Sequence, residues 1–216
     1  MARHLYFKKF TMHFNPNETY HIFNRGNNKQ TEFFNDSNYI FFLQKIKKEW
    51  RPYCEILCYC LMPNHFHFMI VPNNEGCDNI ILGDKPSNMQ NLSKVIGKTL
   101  SSYTKAINIQ NKTIGNLFQK KTQAKCLSNQ EYKNDKYLTK DIELTCFHYI
   151  HQNPVMANLV KEPYQWIYSS FLDYYGSRNG TLCNKKLAME LLSLSEIDFK
   201  NYECLNLSKE GISRIF

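Results

Sequence analysis

The sequence lacks an apolar run of the roughly 20 residues that a membrane-spanning helix requires. Its first residues also lack the apolar core of a signal peptide. We therefore expect a cytoplasmic protein without a membrane partner. The eight cysteines include no Cys-x-x-Cys pair, and Cys58 and Cys60 have no second pair at zinc-finger spacing. This pattern predicts reduced, mostly buried thiols. No internal repeat or low-complexity tract is visible.

What the chain does have is apolar, aromatic and basic residues. With 216 residues, of which 43% are hydrophobic and 14% aromatic, it can bury the core of one domain plus an appendage. Residues 1–125 hold 17 Lys and Arg against 8 Asp and Glu, a net charge of +9. Residues 126–216 hold 10 against 11, a net charge of −1. The net positive charge thus comes from the first part of the chain.

The basic residues of this first part occur in groups with aromatic residues between them. Such a composition is typical of grooves that bind single-stranded or hairpin nucleic acid. It also fits the solvated helix faces of an ordinary basic protein, and both interpretations stay open on charge alone. The groups are Arg25 and Lys29, then Lys45 to Arg51, then Lys94, Lys98 and Lys105, and finally Lys112, Lys120, Lys121 and Lys125.

A histidine pair, His65 and His67, lies in a stretch that otherwise has the composition of a buried strand. Side chains alternate between the two faces of a strand, so both imidazoles point to one face and Phe66 points to the other. Neutral imidazole is the commonest protein ligand of transition metals. The pair indicates a metal site, although a His-x-His pair also occurs by chance.

The order of the predicted elements is strand, helix, hairpin, helix, strand, which is that of an α+β fold. It predicts a ferredoxin-like, RRM-like antiparallel sheet with helices on one face, and a helical C-terminal extension. The first helix starts at the capping residues 35–37 and is stopped by Pro52. The predicted strands are 20–26, 54–61 and the histidine strand, the helices are 35–51 and 87–107, residues 74–87 form a loop, and 113–121 is extended.

A further helix is predicted over 141–153, ending before Pro154 because the residue preceding proline disfavours the helical conformation. Positions four apart share a helix face, which brings Tyr149 and Asn153 together. The alternative is a half-buried aromatic and a simple C-terminal amide. His148 and His151 point away from this face, so we interpret them as surface or packing residues. His21 lies on a strand beside the expected centre of the sheet, and a structural role and a functional one both stay open for it.

Taken together, these segments resemble the single-tyrosine HUH transposases, and among them the REP-associated tyrosine transposases. The similarity covers roughly residues 18–175, which implies a catalytic domain at 1–175 and an extension of unknown role at 176–216. In that extension we expect a helix over 184–192 and a frayed end from Gly211. The matching blocks are Tyr20–Gly26, Leu61–His67, Gly115–Gln119, Tyr149–Val155 and Trp166–Ser170.

The resemblance implies a reaction and its residues. His65 and His67 would hold Mg²⁺ or Mn²⁺ with Asn153 as third ligand and Gln152 as a lesser candidate. Tyr149 would attack a phosphate of hairpin-flanked single-stranded DNA, leaving a 5′-phosphotyrosine and a free 3′-hydroxyl. Members of the family occur as monomers and as dimers, and we expect a homodimer. The candidate DNA-binding residues are Arg25, Lys29, Lys94, Lys98, Gln119, Lys120 and Lys121.

Two other functions stay open. One is a DNA-hairpin-binding regulator on the same fold that does not cleave. The other is a hydrolytic metalloenzyme without a covalent intermediate, against which the separate Tyr149–Asn153 pair argues.

Overall fold

The computed structural model describes residues 12–83, 85–128, 136–200 and 207–216. Its main sheet has four strands in the order β2-β3-β1-β6, and every neighbouring pair is antiparallel. Strands β4 and β5 form a separate hairpin. The strands are β1 (Tyr20–Arg25), β2 (Cys54–Met62), β3 (His65–Pro72), β4 (Asn79–Leu82), β5 (Lys85–Gln90) and β6 (Gln123–Cys126).

The helices connect these strands and follow them. Two long helices, α1 and α3, are the crossovers of the sheet, and α4 follows the last strand. The helices are α1 (Asp36–Glu49), α2 (Asn74–Cys77), α3 (Asn91–Asn111), α4 (Lys136–Met156), α5 (Phe171–Tyr175), α6 (Lys185–Leu192), α7 (Glu196–Lys200) and α8 (Lys209–Arg214). None of the helices in the described parts of the chain is both long and apolar enough to cross a bilayer.

The succession of β1, α1, β2, β3, α3 and β6 with this strand order is the ferredoxin-like arrangement, so the predicted α+β class is confirmed. Helices α1 and α3 pack on one face of the sheet, against Phe66, Phe68 and Ile70 of β3. The prediction that helices cover one face of the sheet was incomplete. The other face is covered by a second helical layer, in which α4 packs with the helices that follow it.

Local signals predicted the start of α1 correctly. The Asn35 side chain accepts a hydrogen bond from the Asn38 backbone N–H at 3.1 Å, which satisfies one of the free donors of the first turn. The prediction was wrong for residues 74–87, where α2 and β4 replace the expected loop. Helix α3 begins at Asn91 rather than at Ser87, because residues 85–90 pair with β4.

The last strand of the sheet is also displaced from its predicted position. β6 covers residues 123–126, after the expected stretch 113–121, because β1 pairs with it through Tyr20 opposite Cys126 and Phe23 opposite Gln123. The earlier stretch contributes one isolated bridge, between Gly26 and Phe118.

Pro154 lies inside α4, so the prediction that the helix ends before it was wrong. A proline at this position removes one donor and crowds the carbonyl four residues earlier. Near the end of a helix that loss is confined to a single turn. The helix continues to Met156, and the Ala157 N–H donates to the Asn153 carbonyl at 2.9 Å.

The C-terminal elements share a core with α4 and the sheet. Phe171 of α5, Phe199 of α7 and Ile215 are buried in one cluster with Phe147 and the β3 residue Met69. The helix predicted at 184–192 is present as α6. The expected fraying from Gly211 was wrong, because α8 begins with a cap in which the Gly211 N–H donates to the Ser208 hydroxyl at 3.0 Å.

The cysteines match the sequence-based expectation. Seven of them lie in the described residues and are free thiols, and Cys54, Cys58, Cys60 and Cys146 are buried. Cys204 falls outside the described residues.

Candidate active site

The site is built on the face of β3 that carries His65 and His67. Phe66 between them is fully buried against the α1 and α3 layer, with its ring 5.5 Å from that of Phe42. The alternation of the strand therefore turns both imidazoles toward α4, as predicted. Their ring centroids are 5.1 Å apart.

His65 is oriented by its neighbour in the turn between β2 and β3. Its Nδ1 lies 2.7 Å from the Asn64 side-chain oxygen, and the Asn64 amide nitrogen donates to the Lys29 carbonyl at 3.4 Å. An amide oxygen can only accept, so Nδ1 of His65 carries the proton and Nε2 presents a lone pair. That Nε2 lies 3.2 Å from Oδ1 of Asn153. Nε2 of His65 thus faces the side-chain amide of Asn153, whose nitrogen is buried without a hydrogen-bond partner.

His67 is oriented by a hydrogen bond to His21 of the neighbouring strand β1. Its Nδ1 lies 2.9 Å from Nε2 of His21, and Nδ1 of His21 lies 2.9 Å from the Ile215 carbonyl oxygen. Nε2 of His67 is buried and has no hydrogen-bond partner. Burial lowers the pKa of His21 to about 4 and that of His67 well below its ordinary value, where His21 and His65 add to the effect. Both imidazoles are therefore neutral at physiological pH.

Tyr149 projects from α4 onto this pair. Its ring centroid lies 5.5 Å from that of His67 and 6.4 Å from that of His21. The ring of Phe216 lies edge-on to it at 5.3 Å. Burial is the largest influence on the phenol and raises its pKa, whereas Asn153 and Arg25 lower it. The nucleophile candidate, the histidine pair and an arginine thus lie in one site.

These side chains open into a cavity of about 290 Å³. Two cationic side chains line it, and no carboxylate of the described residues does. Its charge therefore favours an anion such as a phosphodiester. The lining residues are Phe23, Asn24, Arg25, His65, His67, Gln119, Lys121, Gln123, Tyr149 and Phe216.

The predicted DNA-binding residues divide into two groups. Arg25, Gln119 and Lys121 line the cavity, and Lys120 lines an adjoining one that shares Gln119. The others are exposed and line neither cavity. The Lys29 carbonyl accepts the hydrogen bond from Asn64 beside His65, whereas Lys94 and Lys98 lie on α3, in the layer behind the sheet. The role of these three lysines stays a prediction.

The metal prediction rests on a small donor set. Within the described ranges, no three His, Cys, Asp or Glu side chains are placed to share a metal ion. The donors that meet here are the two histidines and the amide oxygen of Asn153, which is 6% exposed. Nε2 of His67 is buried without a hydrogen-bond partner, and His67 lines the cavity. The residues present therefore fit the binding of a cation.

The remaining histidines of α4 are packing residues. His151 is fully buried, its Nε2 lies 2.8 Å from the Ser170 hydroxyl, and its ring lies against Phe147. His148 is also buried, and burial lowers its pKa to about 4. Gln152 is 3% exposed and is not among the residues that line the cavity.

Sequence reasoning left the role of His21 open and missed Asn64 and the C-terminal Phe216. His21 could have been found, because period-two alternation puts it on the same face as Arg25, and the ferredoxin-like order places β1 beside β3. No local signal identifies Phe216, which reaches the site from the far end of the chain.

No family model matches the chain, and no curated protein matches its sequence. Among solved structures, it is similar to a REP-associated tyrosine transposase bound to a REP hairpin. The two are 17% identical, and the match covers 79% of this chain and 86% of that chain with a TM-score of 0.53. At this identity the similarity establishes a shared fold.

Proposed function

We propose that this chain is a single-tyrosine HUH transposase of the REP-associated branch, a metal-dependent strand transferase that acts on hairpin-flanked single-stranded DNA. One observation carries the proposal: Tyr149 of α4 lies 5.5 Å, ring to ring, from His67 of β3. The same cavity holds His65, Arg25 and Lys121. A nucleophile, two neutral imidazoles and phosphate-attracting cations are the groups that such a reaction needs.

His65, His67 and Asn153 would hold Mg²⁺ or Mn²⁺. Nε2 of His65 and Oδ1 of Asn153, 3.2 Å apart, repel each other unless the amide rotates or a cation binds both. The chemistry that a bound cation would supply is polarisation of the scissile phosphate and compensation of the charge that develops in the transition state.

Tyr149 supplies the nucleophile. Its phenolic oxygen forms a bond to phosphorus while the bond from phosphorus to the 3′-oxygen breaks. The phenol loses one proton, and the departing 3′-oxygen gains one to become the 3′-hydroxyl. The product is a 5′-phosphotyrosine that conserves the phosphodiester bond energy. Attack by another 3′-hydroxyl reverses the step and rejoins strands without ATP.

Ionisation of the phenol is opposed by its burial, which raises the pKa of Tyr149. The Arg25 guanidinium lines the same cavity and lowers that pKa. Arg25 would therefore have two roles: it attracts the phosphodiester and favours the phenolate. The chain's positive charge, concentrated in residues 1–125, favours the same polyanionic substrate.

The test is incubation of the protein with Mn²⁺ and hairpin DNA labelled at either end of a single-stranded flank, followed by denaturing electrophoresis. We expect a covalent adduct that retains the strand on the 5′-phosphate side, and its loss in Tyr149→Phe. Tyr164→Phe is the matched control, because Tyr164 is 43% exposed and stacks on Tyr175 outside the site. Cleavage that survives Tyr149→Phe would contradict the proposal.

The alternative is a protein that binds DNA hairpins without cleaving them. One observation favours it: the Phe216 ring packs against Phe23 and against Tyr149, the candidate nucleophile. Salt-sensitive hairpin binding without an adduct in either Mg²⁺ or Mn²⁺ would support this alternative. A homodimer is part of the proposal and is tested by light scattering of the purified protein.

A further inference from the structure

A buried line of hydrogen bonds connects the C-terminus to the histidine pair. It runs from the Ile215 carbonyl oxygen to Nδ1 of His21, and from Nε2 of His21 to Nδ1 of His67, each at 2.9 Å. His21 is fully buried and His67 is 3% exposed. Water therefore does not compete for these ring nitrogens.

The chemistry of the three groups fixes where the protons are. A carbonyl oxygen only accepts, so Nδ1 of His21 must donate to Ile215. A neutral imidazole carries one N–H, so Nε2 of His21 is an acceptor and takes the proton of Nδ1 of His67. Nε2 of His67 is then left with a lone pair and no hydrogen. This is the nitrogen that is buried and unpartnered in the site.

We infer that His21 is a positioning residue, which holds His67 in the tautomer and ring orientation that present Nε2 to a divalent cation. The inference rests on the proposed function, because it concerns one ligand of the proposed metal site. Metal-binding histidines commonly donate their other ring N–H to a fixed acceptor, which sets the tautomer. His21 is that acceptor for His67, as Asn64 is for His65.

Packing alone does not account for His21. Its ring lies 4.7 Å from that of Phe23, 5.4 Å from that of Phe216 and 5.0 Å from that of His67. An apolar side chain would fill this aromatic environment without leaving polar atoms to satisfy. The feature that an apolar residue cannot supply is a hydrogen-bond acceptor opposite His67.

The first test needs no metal, and its first measurement needs no substitution. Nitrogen-15 NMR of the imidazoles in the metal-free wild type should show both His21 and His67 protonated at Nδ1. A wild-type His67 protonated at Nε2 would overturn the inference by itself. In His21→Leu we expect the His67 tautomer to shift toward Nε2–H, whereas His21→Gln, whose amide oxygen can accept, should keep Nδ1–H.

The second test is Mn²⁺ affinity, measured by the loss of the free-ion electron paramagnetic resonance signal. Loss of an outer partner of a metal-binding histidine typically weakens binding about 10–100-fold, which is the effect expected for His21→Leu. His21→Gln should retain most of the wild-type affinity for Mn²⁺. His13→Leu is the control, because His13 is exposed, and it should bind as the wild type does.

The outcomes separate the two claims. If the wild type binds Mn²⁺ and the Leu and Gln variants weaken it equally, His21 only packs and the inference fails while the proposed metal site stands. If the wild type does not bind Mn²⁺, the metal site itself fails and the positioning role falls with it. If His21→Leu does not fold, the wild-type NMR result and His21→Gln still decide.

Discussion

Arg178, three residues into the predicted C-terminal extension, connects that extension to the sheet. Its guanidinium donates to both carboxylate oxygens of Asp173, at 2.7 and 3.0 Å, to the carbonyls of Ile167 and Ser169, at 2.7 and 2.5 Å, and to the Tyr59 hydroxyl at 3.1 Å. Asp173 is 2% exposed. The substitution Arg178→Met keeps the aliphatic part of the side chain but leaves this carboxylate without its cation.

The expected cost follows from this geometry. Removing one partner of a buried ion pair destabilises a protein by about 3–5 kcal/mol. The Arg178 side chain is 32% exposed, and the Gly180 N–H still donates to Asp173 at 2.9 Å, so we expect a value near the lower end, about 3 kcal/mol. For a chain of this length, that corresponds to a fall in Tm of about 6–12 °C.

The assay is urea and thermal unfolding followed by circular dichroism. Arg214→Met is the matched control, because Arg214 pairs with an exposed Glu210 on α8 and such pairs contribute at most about 1 kcal/mol. Arg178→Met with Asp173→Leu should recover most of the loss, since the unpaired charge is then gone. Equal effects of Arg178→Met and Arg214→Met would refute the reasoning.

Three further predictions concern the core, pH and salt. Phe66→Ala should cost about 3–5 kcal/mol of unfolding free energy, because Phe66 is fully buried between β3 and α1; urea unfolding measures this, and a cost below 1 kcal/mol would contradict the packing. Burial lowers the pKa of His148 in the folded state from 6.5 to about 4, so the unfolded state takes up its proton first as the pH falls. The free energy of unfolding should therefore decline from about pH 6.5 toward pH 4, by about 3 kcal/mol from this group. In His148→Gln the decline in unfolding free energy over that range should be smaller, and an unchanged decline would exclude His148 as a cause. Lys121→Gln should reduce the slope of log affinity for single-stranded DNA against log salt concentration by about 0.7, whereas Lys186→Gln on α6 should leave it unchanged. Fluorescence anisotropy titrations measure the slopes, and equal slopes for the two variants would show that Lys121 does not contact the DNA.

Elements with strong local signals were predictable from the sequence. The Asn35 cap fixes the start of α1, and the alternation of β3 fixes the faces of His65 and Phe66. The errors occurred where distant contacts override local preference. Residues 85–90 pair with β4 before α3 begins, and Gly211 is held in a helix whose end packs Ile215 into the core.

The candidate site followed the same rule. The positions of its candidate ligands and candidate nucleophile could be predicted, because each lies in a short pattern of period two or four. Their partners could not, since the hydrogen bond from His21 to Ile215 joins residues 194 positions apart in the chain. Such a contact depends on how the C-terminal layer packs, and a local pattern contains no information about it.

The most direct test of the central claim is mass spectrometry of the covalent product formed with Mn²⁺ and hairpin DNA. The account predicts one modified peptide, with the nucleotide attached through its 5′-phosphate to Tyr149, and no product in His67→Ala. An adduct on another residue, or cleavage that leaves no adduct on the wild type, would contradict it.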